Sequence, residues 1–155
     1  MDRNALSRAT EASDSPTPGY LYVDIAKSAA ASPTASLEIV QYLIRRLKTK
    51  NNPNVKFKCL KVITKTAESA VTRGHFKRAV AQDPSAVAAI KECLQFRGPP
   101  DPVRGDQPYQ KVQEAAKEAL EAVYSDSPSS SDAGAGPGPG TYAGIGGGGI
   151  SGSYG

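Results

Sequence analysis

Phe96-Arg97-Gly98-Pro99-Pro100-Asp101-Pro102-Val103-Arg104-Gly105-Asp106-Gln107-Pro108-Tyr109-Gln110-Lys111-Val112 is a proline-rich run that delivers the backbone into a helical pattern. Pro99, Pro100 and Pro102 fix their own φ and restrict the residue before each, so Gly98 to Pro102 is expected to be extended and stiff. Beyond Pro108, Val112, Ala116, Ala119 and Val123 recur at helical spacing. Phe96, Pro99, Pro100, Asp101, Pro102, Asp106 and Tyr109 therefore form a candidate strap holding this last helix on its neighbours, or alternatively an edge for a docked peptide. Asp101 and Asp106 can fold back onto free amides, Asp106 standing where it would cap the helix entered at Pro108. Phe96 is expected to be buried.

Working outward, four further prolines follow residues able to cap a helix: Thr17-Pro18, Ser32-Pro33, Asn52-Pro53 and Asp83-Pro84. Proline at the first helical position forfeits no hydrogen bond, and the oxygen before it can accept from the next free amides. Between these marks the apolar spacing is helical. Leu21 and Ile25 are one example; Leu37, Val40, Ile44 and Leu47 another; Val55, Cys59, Val62 and Thr66 a third. The spacing predicts seven helices, at about 3–12, 18–31, 33–50, 54–72, 74–82, 84–95 and 108–124, and an all-α domain. Short links force each helix onto its sequence neighbours, which a right-handed superhelical stack satisfies and an up-and-down bundle satisfies equally. Tyr20 and Tyr22 are expected to pack on the core with their hydroxyls at its rim.

The domain is expected to cover residues 1–124. Residues 125–155 hold eleven of the chain's fifteen glycines, among Ser, Ala and Pro, and read as a disordered Gly/Ser/Pro/Ala-rich tail with Tyr142, Ile145, Ile150 and Tyr154 isolated along it. No run of 18 apolar residues is present to span a bilayer, and Met1-Asp2-Arg3-Asn4 begins no secretory signal, so a soluble intracellular protein is expected. Cys59 and Cys93 lie within helical apolar patterns and are expected to be buried reduced thiols.

Catalysis is not expected: the lone histidine, His75, has no nucleophile with an orienting acid nearby in sequence. Neither a metal nor a cofactor is expected, because Cys59, His75 and Cys93 lack metal-ligand pairing and the glycines of the tail follow no strand. The informative chemistry is charge. Residues 45–78 carry eleven Lys/Arg and a single acid, Glu68, in a chain of net charge +4. Lys58, Lys61 and Lys65 fall at i, i+3, i+7 and line one helix face; Arg45, Arg46 and Lys48 precede them, and Arg73, Lys77 and Arg78 follow. These nine form a candidate basic interaction face, read either as a solvated surface or as a dock for an acidic membrane or acidic protein segment. No specific nucleic acid is expected, because stacking aromatics are not interleaved with the lysines.

Leu6-Ser7-Arg8-Ala9-Thr10, Pro18-Gly19-Tyr20-Leu21-Tyr22 with Ile25-Ala26, Tyr42-Leu43-Ile44-Arg45-Arg46-Leu47, Val55-Lys56-Phe57-Lys58-Cys59-Leu60-Lys61-Val62 and above all Gly98-Pro99-Pro100-Asp101-Pro102 with Gly105 and Tyr109-Gln110-Lys111-Val112 resemble a tepsin-type ENTH/VHS-like domain. Such domains belong to epsin-related accessory proteins of coated transport vesicles. The resemblance covers about residues 5–124 and implies a superhelix of α-helices, no enzymatic activity, vesicle coat or adaptor proteins as partners, and a place in the cytoplasm peripheral to the trans-Golgi network, endosomes or vesicles. A monomer is expected. Only Met1 to Ala5 precede the first residues that carry the resemblance, so the leading amphipathic helix with which epsins insert into phosphoinositide membranes is not expected, and membrane contact is expected to be weak. Two alternatives stand beside this reading: a VHS-like or polymerase-tail-type reader of acidic or phosphorylated tails, and a general anion-binding protein acting on membrane or RNA.

Overall fold

Ser32, Asn52 and Asp83 each precede a proline, and each opens a helix in the computed structural model, which describes residues 3–125. Ser32 Oγ accepts from Ala35 N at 3.0 Å ahead of α3 (Pro33–Thr49). Asn52 Oδ1 accepts from Asn54 N at 2.8 Å and Val55 N at 3.2 Å ahead of α4 (Pro53–Glu68). Asp83 Oδ1 does the same for Ser85 N at 2.9 Å and Ala86 N at 3.3 Å ahead of α6 (Pro84–Cys93). A cap of this kind contributes about 1 kcal/mol. Thr17 behaves differently. It caps nothing: Pro18 occupies the cap position of α2 (Gly19–Ala30), and Thr17 Oγ1 donates instead to Ala9 O at 2.7 Å, fastening the loop to α1 (Arg3–Ala9).

Two boundaries fall short of the apolar pattern. α1 stops at Ala9, with the Thr10 hydroxyl turned back to Leu6 O at 2.7 Å. α4 stops at Glu68, because Ser69 leaves with extended dihedrals and a 3₁₀ turn, Ala70–Thr72, follows. Thr72 Oγ1 ties that turn to Thr66 O at 3.1 Å and Ser69 O at 2.9 Å. Arg73 and Gly74 then take φ of 51° and 78°, reversing the chain into α5 (His75–Ala81). α7 (Gln107–Tyr124) completes the set, making seven α-helices among the described residues. The expected tail lies, from residue 126 onward, outside the described residues, Tyr142, Ile145, Ile150 and Tyr154 included.

The helices stack in hairpins rather than closing as a simple bundle. α3 packs on α2, α4, α5 and α6 in turn, and α4 lies at the centre, with its most extensive partner in α7. This central place explains why so much of α4 is buried: Val55, Cys59, Leu60, Val62, Ile63 and Ala67 are all buried, as are Thr64 and Thr66. Leu21, Ile25, Ile39, Leu43, Phe76, Val80, Ile90, Val112 and Ala116 complete the core around it. Cys59 and Cys93 are buried free thiols, and burial pushes Cys59 up to about 12 despite the Arg46 guanidinium beside it. Leu37, which the spacing places with Val40, Ile44 and Leu47, is instead 48 % exposed, because the stripe facing the core runs through Ser36, Ile39, Val40 and Leu43. Tyr20 is also largely exposed, its hydroxyl bonded to Arg8, whereas Tyr22 packs against the core.

Candidate interaction surface

The positive residues crowded together in sequence are dispersed by the fold into separate tasks. Lys58 is the clearest correction: it is buried, with Nζ donating to Ser13 O at 2.7 Å and Ser13 Oγ at 3.2 Å. Lys58, Lys61 and Lys65 do share one side of α4, but the α1–α2 loop closes over the first of them. The second lies against α7, with Lys61 Nζ 3.5 Å from Glu118 Oε1. Lys65 is exposed.

Arg46 is likewise engaged in the fold. Its Nη2 donates to Thr10 O at 3.0 Å and its guanidinium lies 5.8 Å from the centre of the Tyr42 ring. Together with Asn54, whose side chain donates to Ala12 O at 2.9 Å and Asp14 Oδ1 at 2.8 Å, Arg46 and Lys58 hold the α1–α2 loop in place. Lys77 donates to Ser125 O at 2.6 Å at the end of α7. Lys48 donates to Ser85 Oγ, bridging α3 and α6 beside the exposed Arg45. Arg73 and Arg78 are exposed.

What the sequence reading missed is an aromatic component. Phe57 is half-buried between two ammonium groups, Lys111 Nζ at 4.5 Å and Lys61 Nζ at 5.8 Å from its centroid, while Lys56 Nζ stands 5.2 Å from that of Phe96. Cation–π contacts of this kind contribute about 0.5–1 kcal/mol at exposed sites. The signal for one was present, since Phe57 and Lys61 are four apart on a helix; Lys111 reaches Phe57 only through the packing of α7 on α4. The result is a cationic surface along α4 and α7, with Lys61 and Lys111 on Phe57 and the exposed Lys65 farther along α4.

Beside it lies the proline loop. Phe96 is half-buried rather than fully buried, its ring 5.4 Å from that of Tyr109 at 58°. Tyr109 Oη donates to Pro99 O at 2.8 Å, and Gln113 Nε2 donates to Phe96 O at 2.9 Å. Asp101 and Gly105 exchange two backbone hydrogen bonds of 2.8 Å, with Gly105 at φ 60°. Asp101 Oδ1 accepts from Arg104 N at 2.9 Å and Val103 N at 2.8 Å, and those amides hold its carboxyl below the usual carboxylate range. Pro99, Pro100 and Pro102 are exposed around this turn. Arg104 Nη2 reaches Asp14 Oδ1 at 3.8 Å, linking the turn to the α1–α2 loop. Asp106 does not cap α7 with its side chain; its carbonyl accepts from Tyr109 N and Gln110 N, each at 3.0 Å, because its helical dihedrals already begin the first turn.

Asp106→Ala is accordingly expected to change stability by less than about 0.5 kcal/mol. Gly98→Ala is expected to cost about 1–3 kcal/mol, because a Cβ there would stand 2.7 Å from Tyr109 Oη and 2.8 Å from its ring carbons, displacing the tyrosine from Pro99 and Phe96. Urea denaturation of the two variants separates these expectations.

No known protein-family profile matches the chain. Among solved structures, it is similar to an ENTH-VHS domain from Arabidopsis thaliana determined by NMR: one structure gives a TM-score of 0.70 at 25% identity, covering 88% of this chain and 91% of that one. A second NMR structure described for that domain gives 0.71 at 23% identity, covering 84% and 90%. The helical stack is thus an ENTH/VHS-type fold. Among curated proteins, the chain is 34% identical over 122 residues to the human AP-4 complex accessory subunit tepsin, a match covering 79% of this chain and 22% of that protein. It is 32% identical over 142 residues to tepsin from Xenopus laevis, covering 91% of this chain and 24% of that protein. The chain carries a tepsin-like ENTH/VHS-type domain, and spans about a fifth to a quarter of the length of the curated relatives it matches.

Proposed function

We propose that this chain is a non-enzymatic interaction module of vesicle-mediated transport, acting beside an adaptor-type coat at Golgi or endosomal membranes. The observation that carries the reading is the likeness to tepsin, an AP-4 complex accessory subunit, across most of the chain. The helical domain, ending near Tyr124, is the working unit. Its α4–α7 surface docks an acidic segment of a coat protein: Lys65, Lys61 and Lys111 supply the attraction, and the half-buried Phe57 supplies apolar contact area. Lys58 and Arg46 are committed instead to the α1–α2 loop.

Lipid contact through the same cations is electrostatic only. A lysine near an acidic surface contributes about 1 kcal/mol, and that attraction is screened within roughly 8 Å at physiological salt. In liposome flotation, binding to acidic vesicles is expected to be weak, to fall as salt rises and to be indifferent to the phosphoinositide included. The double change Lys61→Glu and Lys65→Glu is expected to abolish it while leaving the thermal midpoint within a few degrees. Tight, headgroup-selective flotation would instead make the surface a lipid site and remove protein docking from the account.

A further inference from the structure

A hydroxyl residue stands directly before proline at Ser15-Pro16, Thr17-Pro18, Ser32-Pro33 and Ser127-Pro128. Proline after a hydroxyl acceptor fixes φ and removes a backbone N–H, which a kinase reads with an apolar pocket that offers no hydrogen-bond acceptor. The fold separates the first three of these positions; Ser127 lies outside the described residues.

Thr17 is half-buried, and its Oγ1 donates to Ala9 O at 2.7 Å. Ser32 Oγ caps α3, accepting from Ala35 N at 3.0 Å, and the residues after it are already helical. In-line phosphoryl transfer needs a free hydroxyl aligned with phosphorus, so either residue would first give up a hydrogen bond, and Ser32 the first turn of its helix as well. Ser15 has neither restraint. It sits in the α1–α2 loop, where residues 11–16 are all exposed, and its hydroxyl holds no hydrogen bond among the described residues. The tethers from Asn54 and Lys58 end on Ala12, Ser13 and Asp14, leaving Ser15 and Pro16 beyond them.

We propose that Ser15 is the acceptor of a proline-directed protein kinase and that its phosphate pairs with Arg104 of the proline loop. Ser15 Oγ attacks the γ-phosphorus of kinase-bound ATP; an O–P bond forms, the bond from that phosphorus to ADP breaks, and the hydroxyl proton passes to a base of the kinase. The product adds close to two negative charges and three acceptor oxygens. Arg104 is placed to meet them: its Nη2 stands 3.8 Å from Asp14 Oδ1, one residue away, and its side chain is 48 % exposed. Asp14 and Glu11 oppose a phosphate there, yet Asp14 already accepts from Asn54 Nδ2 at 2.8 Å, so Arg104 can turn to the phosphate without leaving that carboxylate unpartnered. A guanidinium holds phosphate through two parallel N–H groups. Modification therefore tightens the link between the α1–α2 loop and the turn at residues 101–105. This control goes beyond the coat reading and uses none of the α4–α7 residues.

Incubation of the Ser127→Ala chain with a proline-directed kinase and ATP, followed by site mapping by mass spectrometry, tests it. Phosphate is expected to accumulate on Ser15 about tenfold faster or more than on Thr17 or Ser32, the factor that one hydrogen bond to be broken commands. Pro16→Ala is expected to remove it, and a synthetic peptide of residues 11–19 to be a substrate too. Phosphorylation is expected to raise the melting temperature at low salt by about 2–4 °C, an increment lost in Arg104→Ala. A peptide that stays unmodified, a folded chain that resists while the peptide reacts, or Thr17 or Ser32 modified as fast as Ser15 overturns the site. An unchanged melting temperature, or a rise that survives Arg104→Ala, overturns the pairing.

Discussion

Phe76→Ala is expected to lower the unfolding free energy by about 3–5 kcal/mol, the largest single effect foreseen for this domain. α5 has only seven residues, far below the length at which a helix holds itself in water. Its order comes from two side chains, Phe76 at 0 % and Val80 at 1 % exposure, set among α3, α4 and α7. Truncating the ring removes the transfer free energy of a phenyl group and leaves a void in a packed interior. The chain enters α5 through Arg73 and Gly74 with positive φ, so no alternative local structure offsets the loss. Urea denaturation measures the change, with Val87→Ala on half-buried α6 as a milder reference. A loss under about 1 kcal/mol for Phe76→Ala would show that α5 is not anchored as described.

Lys58→Glu is expected to cost about 3 kcal/mol, whereas Lys65→Glu on the same side of α4 is expected to remain within about 0.5 kcal/mol. The difference rests on burial. Lys58 is 6 % exposed and its ammonium is held by two oxygens of Ser13. A carboxylate there would face those oxygens with no donor beyond the serine hydroxyl, and a buried charge without a partner is strongly destabilising. Lys58→Met, which keeps the stem and removes the charge, is expected to cost about 1 kcal/mol. Equal denaturation midpoints for the glutamate variants at 58 and 65 would restore the single exposed lysine face inferred from spacing.

That contrast shows where the sequence was legible. Pro33, Pro53 and Pro84 with the caps before them marked helix starts correctly, because capping is a local event between residues two or three apart. The apolar spacing of α7 and the burial of both cysteines were legible for the same reason. Leu37 was misplaced because a stripe about three residues wide has edges, and periodicity does not say which edge a neighbour covers. Lys58 was misplaced because its cover comes from Ser13, distant in sequence. Asp106 was misread because the cap rule assumes extended dihedrals before a helix, and Asp106 is already helical. The cation–aromatic contact of Lys111 with Phe57 depends on the pairing of α4 with α7, which no local pattern encodes. The reason for glycine at 98 is also nonlocal: the Tyr109 ring, eleven residues on, occupies the space a Cβ would need.

The central claim, that the chain works as a docking module beside an adaptor-type coat, is tested most directly by proximity labelling in cells, with a labelling enzyme fused to the full chain. The account predicts enrichment of adaptor-complex subunits and other vesicle coat proteins over nuclear and RNA-processing proteins, reduced by Lys61→Glu with Lys65→Glu. Labelling dominated by RNA-processing proteins, with coat subunits at background, would contradict it.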